Sequence, residues 1–391
     1  MTIHRKIKDI GYFFGGLTGK TKEDFDTGNS KFVSYMTVFT NPILPNVIKD
    51  YVSVSENEKQ NRIQKGDVLF TGSSETPDDC GMSCVVTKDV DENIYLNSFC
   101  FGFRLYENEI ILPSYLAHYF RCHYARKQIT KTANGVTRFN ISKKLFAEID
   151  ILIPNIKVQE EIVEILDSFT NLIEALNEEL SLRQKQFEYY REKLLTFDDA
   201  SLLKSINEIG TLYRGNGLQK KDFVEEGTGC IHYGQIYTKL GFSLSKPLTY
   251  VTKEIAKPLT KVSKGDLVIA CTSENVEDVC KSVVWEGEEE IVTGGHACVF
   301  RHNENPRYIG YFFQTRQFFM QKKQYVYGAK VIDIKTEKLG AILIPIPLLS
   351  IQQSIVTKLD AFESLISSLK EEIALRQKQY EYYREKLLTF D

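Results

Sequence analysis

Residues 182–198 read LRQKQFEYYREKLLTFD, and residues 375–391 read LRQKQYEYYREKLLTFD. The two stretches differ at one of seventeen positions, Phe187 against Tyr380, at a constant offset of 193. One helix-forming segment therefore occurs twice, and duplication at a fixed period implies duplicated structure with an internal two-fold. The match continues upstream at the same offset. Val158-Gln159 corresponds to Ile351-Gln352, Leu166-Asp167 to Leu359-Asp360, Phe169 to Phe362, and Leu172-Ile173 to Leu365-Ile366. Ahead of each helix stands ILIP, at 151–154 and 342–345, an apolar strand whose proline suits a strand end or a helix start.

The segments between the helices are more faintly related. Ile10-Gly11 faces Ile209-Gly210, and Lys65-Gly66-Asp67 faces Lys264-Gly265-Asp266, both at offset 199. Asn134-Gly135 precedes Ile141 much as Tyr327-Gly328 precedes Ile334. The order is domain, helix, domain, helix, with divisions at 1–150, 151–200, 201–342 and 343–391. Two α+β or α/β units with twisted sheets are expected, separated by two long antiparallel coiled-coil helices with a pseudo-two-fold between the halves. Divergence is concentrated in the globular units, so the rods share one task while the units perform two different tasks of one kind.

A chain of 391 residues can bury two substantial cores. The opening Met1-Thr-Ile-His-Arg-Lys lacks the apolar run of a signal peptide or a membrane span. Eight cysteines without a CxxC pair read as free thiols in a reducing cytoplasm. The formal charge of −3 divides unevenly: residues 156–197 carry −4 and 349–391 carry −1, leaving +2 on the rest. Any nucleic-acid contact must use local patches, or draw on partners for electrostatic attraction.

In the central copy, apolar residues at Ile162, Ile165, Phe169, Leu172, Leu176, Leu180, Phe187, Tyr190, Leu194 and Phe197 trace a coiled-coil seam with one stutter. The second copy repeats it, with Lys358 in place of Ile165 and Leu359 available to that turn. Such a helix is about 57 Å long at 1.5 Å per residue. A coiled coil can be a mere spacer, yet polar positions also recur. Lys185, Glu188, Arg191, Glu192 and Lys193 return as Lys378, Glu381, Arg384, Glu385 and Lys386. Packing alone does not require exposed residues to match; two identical outer faces suit two copies of one partner.

No coherent catalytic set is present. The stretch 15–21, GGLTGKT, resembles a phosphate-binding loop but has Phe14 where the first glycine belongs, and its counterpart at 215–220 lacks GKT. Asn41-Pro42-Ile43-Leu44 begins like the Asn-Pro-Pro-aromatic motif of amino-methyltransferases, without the second proline or the ring. Cys122-His123 and His296-Ala297-Cys298 have no second ligand pair at zinc spacing. Ser73-Ser74-Glu75 and Thr272-Ser273-Glu274 recur after their strands with no histidine nearby in sequence to act as base.

Domain order, the ILIP strands, the Gln159 and Gln352 helix starts, the LRQKQ-EYYREKLL copies and the paired KGD segments together resemble the specificity subunit of Type I restriction–modification systems, over essentially the whole chain. The resemblance implies a non-catalytic DNA-binding subunit with two target-recognition domains, each reading one half of a bipartite double-stranded target. It also implies two methylation subunits docked on the helices and restriction subunits added to that core. S-adenosylmethionine, ATP and magnesium belong on those partners, with no cofactor or metal in this chain and no membrane association.

Within that implication, residues 16–22, 72–75 and 135–140 are the candidate contact loops of the first domain, and 214–221, 271–274 and 328–330 those of the second. The side chains expected at DNA are Lys20, Lys22, Ser73, Ser74, Arg138 and Asn140, then Arg214, Gln219, Lys220, Lys221, Thr272, Ser273 and Lys330. Arg and Lys can bridge phosphates or guanine edges, and Asn and Gln can read adenine. Those expected at the partner are Lys185, Glu188, Arg191 and Lys193 with Lys378, Glu381, Arg384 and Lys386. The rods would act as a ruler. Four residues added to the central helix lengthen it by about 6 Å, roughly two base pairs. Methylome mapping of that insertion should give a changed gap with both half-sites kept, and changed half-sites with an unchanged gap would refute the ruler. The competing reading is a coiled-coil scaffold presenting two protein- or ligand-binding domains without DNA. A neighbouring gene for an Asn-Pro-Pro-aromatic methyltransferase would separate the two.

Overall fold

The computed structural model describes residues 2–25, 28–90, 93–106 and 110–390. It forms two compact units, Met1–Asn177 with Glu371–Asp391, and Glu178–Lys370. Both long helices, Ile156–Leu194 and Leu349–Leu388, are divided between them. The helices are therefore not separate modules, as the divisions at 150, 200 and 342 had them. Each end packs an apolar side into a globular core and belongs to it.

In unit 1, strands Gly11–Gly15, Cys100–Leu105, Val68–Thr71 and Ser83–Val85 form an antiparallel sheet in that order. Val68–Thr71 is buried at every position, as a central strand covered on both faces must be. A second sheet joins Tyr51–Val52, Ser30–Val33 and Ile94–Leu96, the last pair parallel. Phe70, Phe101, Phe103, Phe120 and Phe146 fill the core, several in edge-to-face pairs.

Unit 2 repeats the plan. Gly210–Arg214, Ala297–His302, Leu267–Ala270, Ser282–Trp285 and Ser243–Leu244 form one sheet. Thr249–Val251, Thr228–Ile231, Ile291–Thr293 and Thr260–Val262 form the other. The recurrent KGD is the turn that feeds the central strand of each unit. Gly66 and Gly265 take φ of +91° and +89°, which glycine adopts without a Cβ penalty. Asp67 and Asp266 are nearly inaccessible, and each ion-pairs at 2.7 Å with an arginine of the neighbouring strand, Arg104 or Arg301.

Hydrogen bonds correct the alignment of the two ILIP strands. Tyr115 donates its hydroxyl to the Leu152 carbonyl and Tyr308 donates to that of Pro345, so Leu152 corresponds to Pro345. The structural offset is 193, two residues away from the literal ILIP match at 191. The helix-start glutamines follow the same offset. Gln159 donates to the Pro154 carbonyl and accepts from Leu112 N–H; Gln352 donates to Pro347 and accepts from Asn305 N–H. Both glutamines are fully buried and stitch strand, helix and domain together.

The helices are antiparallel: Phe169 stacks on Tyr383 in unit 1, and Tyr190 on Phe362 in unit 2. The buried stripe departs from the expected seam. Leu166 is wholly buried and Ile173 packs against the unit 1 core, whereas Ile165 and Leu172 are 41% and 40% exposed. The reason is that the helix answers to a globular core as well as to its partner helix, which rotates the buried face away from a pure two-helix seam. Leu359 is wholly buried, as the Lys358 substitution required.

Candidate nucleic-acid interface

In unit 1 the chain leaves Val68–Thr71 and continues through Gly72 into Ser73–Ser74. That short strand pairs with Phe139–Ile141, matching Ser73 to Asn140 and Ser74 to Phe139. Phe139–Ile141 also pairs back on Ala133–Asn134, making a hairpin with residues 135–138 at its tip. Gly135 has φ +149°, and a Cβ there would stand 2.0 Å from the Arg138 carbonyl oxygen, so the tip requires glycine. Val136 at the tip is 91% exposed. Two of the three expected contact loops are thus brought together by backbone pairing.

The frame around them is rigid. The Tyr35 hydroxyl donates to the Ser73 carbonyl at 2.7 Å. Arg126 donates to the Asp78, Cys80 and Gly81 carbonyls and holds the loop that follows Ser74. Arg121 donates to Val38, Phe39 and Ser83 carbonyls and closes the end of the helix Tyr35–Thr40. Gly72 N–H donates to the Phe99 carbonyl at 2.8 Å, which sets the 97–99 turn alongside. The result is an open groove of about 590 Å³ between that helix, the Ser73–Ser74 strand and the hairpin tip.

Unit 2 builds the same frame. Thr272–Ser273 pairs with Ile332–Asp333, and the Tyr237 hydroxyl donates to the Thr272 carbonyl. Gly328 has φ +112°, and its Cβ would stand 2.0 Å from the Val331 carbonyl oxygen. Lys322, buried, donates to the Glu277 and Val279 carbonyls and holds the equivalent loop. Burial pushes its ammonium pKa down. Arg214 donates to the Ile334 carbonyl at 3.1 Å and pairs with Asp333 at 3.2 Å.

The other expected residues fall into three groups. Lys22, Asn140, Lys220, Lys221 and Lys330 are exposed, as is Gln219, whose N–H is bound by Asp222. Ser73 and Thr272 are buried under the frame, with Ser74 and Ser273 half-buried at its edge. Lys20 is held apart: its ammonium pairs with Glu58 at 2.6 Å and its side chain is 6% exposed. Gly16 packs closely against the Asn97 carbonyl, Thr18 is bonded to Gln60, and Thr21 is tied to Asp24. The loop at 15–21 is thus pinned to its neighbours and leads only into the single 3-10 turn Lys22–Phe25, with no α-helix N-terminus to hold a phosphate. Sequence reasoning missed Tyr35, Met36, Phe39 and Phe99. Met36 and Phe99 are 59% and 57% exposed, but as apolar residues they read as core.

On the helices, Lys185, Glu188 and Lys193 are exposed, and so are Lys378, Glu381 and Lys386. Arg191 and Arg384 are not: their side chains are 16% and 19% exposed, stacked on Phe187 and Tyr380. Arg191 also reaches Gln314, while Glu192 accepts from Arg316 N–H and Glu385 from His123 N–H. These four residues recur because each pair fastens its helix to its own unit. The outer faces carry something else that recurs: Leu182 and Tyr189, 65% and 59% exposed, and Leu375 and Tyr382, 58% and 60% exposed. Lys193 and Lys386 lie over the two tyrosine rings. The heptad reading passed over them because they are off the seam.

The cysteines offer no nucleophile. All eight are buried and free. Burial pushes the Cys84 and Cys100 thiols up to about 12 and Cys122 up to about 11. Among the described residues no group of three or more His, Cys, Asp or Glu could hold a metal ion. Nor does any described helix have the length and apolarity to cross a membrane.

Two units that share one strand-and-hairpin frame, each fastened to the same pair of helices, define a protein with an internally duplicated fold. Comparison with known families then identifies it. The family model of the Type I restriction modification DNA specificity domain matches twice, at residues 4–182 and 203–375, and the chain belongs to that family. A Type I restriction enzyme specificity subunit from Escherichia coli is 32% identical over 60% of this chain, a match that spans 60% of that protein's length. A Haemophilus influenzae protein named as a candidate type I specificity subunit is 30% identical over 66% of this chain and 68% of its own. The crystal structure of a Type I restriction–modification S subunit from M. genitalium shares the fold, with TM-score 0.54 at 14% identity over 100% of this chain and 97% of that one.

Proposed function

We propose that this chain is the DNA-recognition component of a Type I restriction–modification complex, each unit reading one half of a bipartite target. The observation that carries the reading is one backbone frame, a short strand paired with a glycine-turned hairpin, built twice with different side chains. Tyr35 and Tyr237 hold the same carbonyl, and Gly135 and Gly328 turn the same hairpin. Two recognition surfaces of one kind and differing content suit two different half-sites. The hairpin tips supply exposed groups at a scale that fits a DNA groove.

The helices carry the partners in this reading. Each presents Leu182, Lys185, Tyr189 and Lys193, or Leu375, Lys378, Tyr382 and Lys386, and an exposed apolar patch with a tyrosine, rimmed by charge, is the kind of surface that a protein partner covers. Two like patches suit two methylation subunits, with restriction subunits joining that core. Methyl transfer and base flipping then belong to the partners, which would hold S-adenosylmethionine, and ATP with magnesium where cleavage is coupled. The mild charge of this chain leaves part of the phosphate attraction to them.

The test is co-expression with the methylation subunit encoded beside it, in a methylation-deficient host, followed by single-molecule mapping of modified adenines. A split motif with a fixed gap is expected. A stable complex that modifies a continuous motif would overturn the two-domain reading, and failure to form any complex would overturn the partner assignment.

A further inference from the structure

The geometry points to Arg138 as the residue with which unit 1 reads a guanine, held ready by Ser73 and Phe99 at the mouth of the groove. This rests on the reading of the chain as a DNA-recognition component. The Arg138 guanidinium is fixed on two sides. Its Nε and Nη2 donate to Ser73 Oγ at 3.2 and 3.0 Å, and its carbon lies 5.3 Å from the centre of the Phe99 ring. Ser73 is itself 5% exposed and locked by Tyr35 and by pairing with Asn140. Nη1 has no hydrogen-bond partner among the described residues, so the end of the fork faces outward. An arginine held by edge and face has lost its rotamer freedom before any ligand arrives, which favours bidentate recognition of guanine O6 and N7.

The surroundings select a base edge over a phosphate. Glu75 and Asp79 line the same groove, and Asp79 is oriented by Thr76 at 2.7 Å. Two carboxylates lining the groove that holds the guanidinium disfavour a phosphate there but tolerate a neutral base, and a carboxylate can accept from the cytosine amino group. Met36 and Phe99 add exposed apolar surface of the kind that meets a thymine methyl. In unit 2 the corresponding positions carry Val331 for Arg138 and His296 for Phe99. The correspondence holds because Gly72 N–H donates to Phe99 just as Cys271 N–H donates to His296. Unit 2 has no guanidinium in that place, so the two half-sites differ there.

The experiment compares wild type, Arg138→Ala and Arg138→Lys, each complexed with its methylation subunit, by selecting bound sequences from a randomised DNA pool. The wild type is expected to require one guanine in one half-site. Both variants should lose that requirement on the order of tenfold to a hundredfold, with the other half-site and the gap unchanged. Lysine should not rescue, since it has neither the fork nor the Ser73 clamp. An equal loss of affinity across all sequences would make Arg138 a phosphate contact and overturn the inference, as would an unchanged motif. A wild-type complex with no sequence preference would instead remove the DNA-recognition reading, and this inference with it.

Discussion

The single difference between the two seventeen-residue copies, Tyr380 against Phe187, should be a keyed contact whose exchange is costly in one direction and repairable in another. Tyr380 is 6% exposed and its hydroxyl lies 3.1 Å from His118 Nδ1. His118 is 1% exposed and its Nε2 is 2.7 Å from Asp167. Tyr380→Phe keeps the ring and its packing but strands a buried imidazole nitrogen, which costs about 1–3 kcal/mol. Unit 2 contains the alternative solution at the same offset. There Phe187 packs edge-on against Tyr311, whose hydroxyl donates to Asp360 at 2.6 Å. Installing that solution in unit 1, as His118→Tyr with Tyr380→Phe, should recover at least half the loss because tyrosine can reach Asp167 as Tyr311 reaches Asp360. Urea denaturation of the full chain, followed by intrinsic fluorescence and circular dichroism, measures all three proteins. A Tyr380→Phe variant within about 0.3 kcal/mol of wild type would refute the keyed contact, that being the size of an ordinary surface substitution. A double variant worse than the single would refute the equivalence of the two solutions.

Two other outcomes follow from the same geometry. Leu182→Asp with Leu375→Asp removes exposed apolar groups that touch no core, so the thermal midpoint should hold while co-purification of the methylation subunit drops at least tenfold; unchanged co-purification would place the partner elsewhere. Burial lowers the His302 imidazole to about 4, and its Nε2 has no partner among the described residues. The unfolded chain therefore takes up a proton that the folded chain refuses, and stability should fall as pH drops from 7 to 5 by about 1–2 kcal/mol for this group. His302→Leu should be less pH-sensitive than wild type over that window in chemical denaturation, and equal sensitivity would show that His302 titrates normally.

Much of the frame was legible because it repeats. The helix copies, the buried Gln159 and Gln352, the KGD turns and the Asn134-Gly135 and Tyr327-Gly328 hairpins each impose a backbone or hydrogen-bond requirement that only particular residues meet. Register was less legible: the literal ILIP match misplaces the strands by two residues, since apolar strand residues are interchangeable while their hydrogen-bond partners are not. The seam was misread at Ile165 and Leu172 because periodicity cannot say how a helix divides its faces between another helix and a domain. Within the site, 72–75 and 135–140 were singled out separately, but not the strand pairing that joins them. Phe99 and Tyr35 escaped notice because their contacts with Gly72 and Ser73 span 27 and 38 positions, beyond any local pattern.

The distribution of identity and difference over this frame is itself an argument about function. Positions that hold the backbone are matched between the halves in kind: Asp67–Arg104 with Asp266–Arg301, Tyr35 with Tyr237, Gln159 with Gln352. Positions that face out of the groove are not: Arg138 against Val331, Phe99 against His296. Had the two frames been structural remnants, nothing would keep them alike while the side chains they carry parted. Had both units bound one ligand, the linings would agree as the outer faces of the helices do. A frame retained twice with two linings is what reading two different half-sites asks of the fold. On the proposed reading, Leu182 and Leu375, alike and exposed, would suit one kind of partner bound twice on the helices.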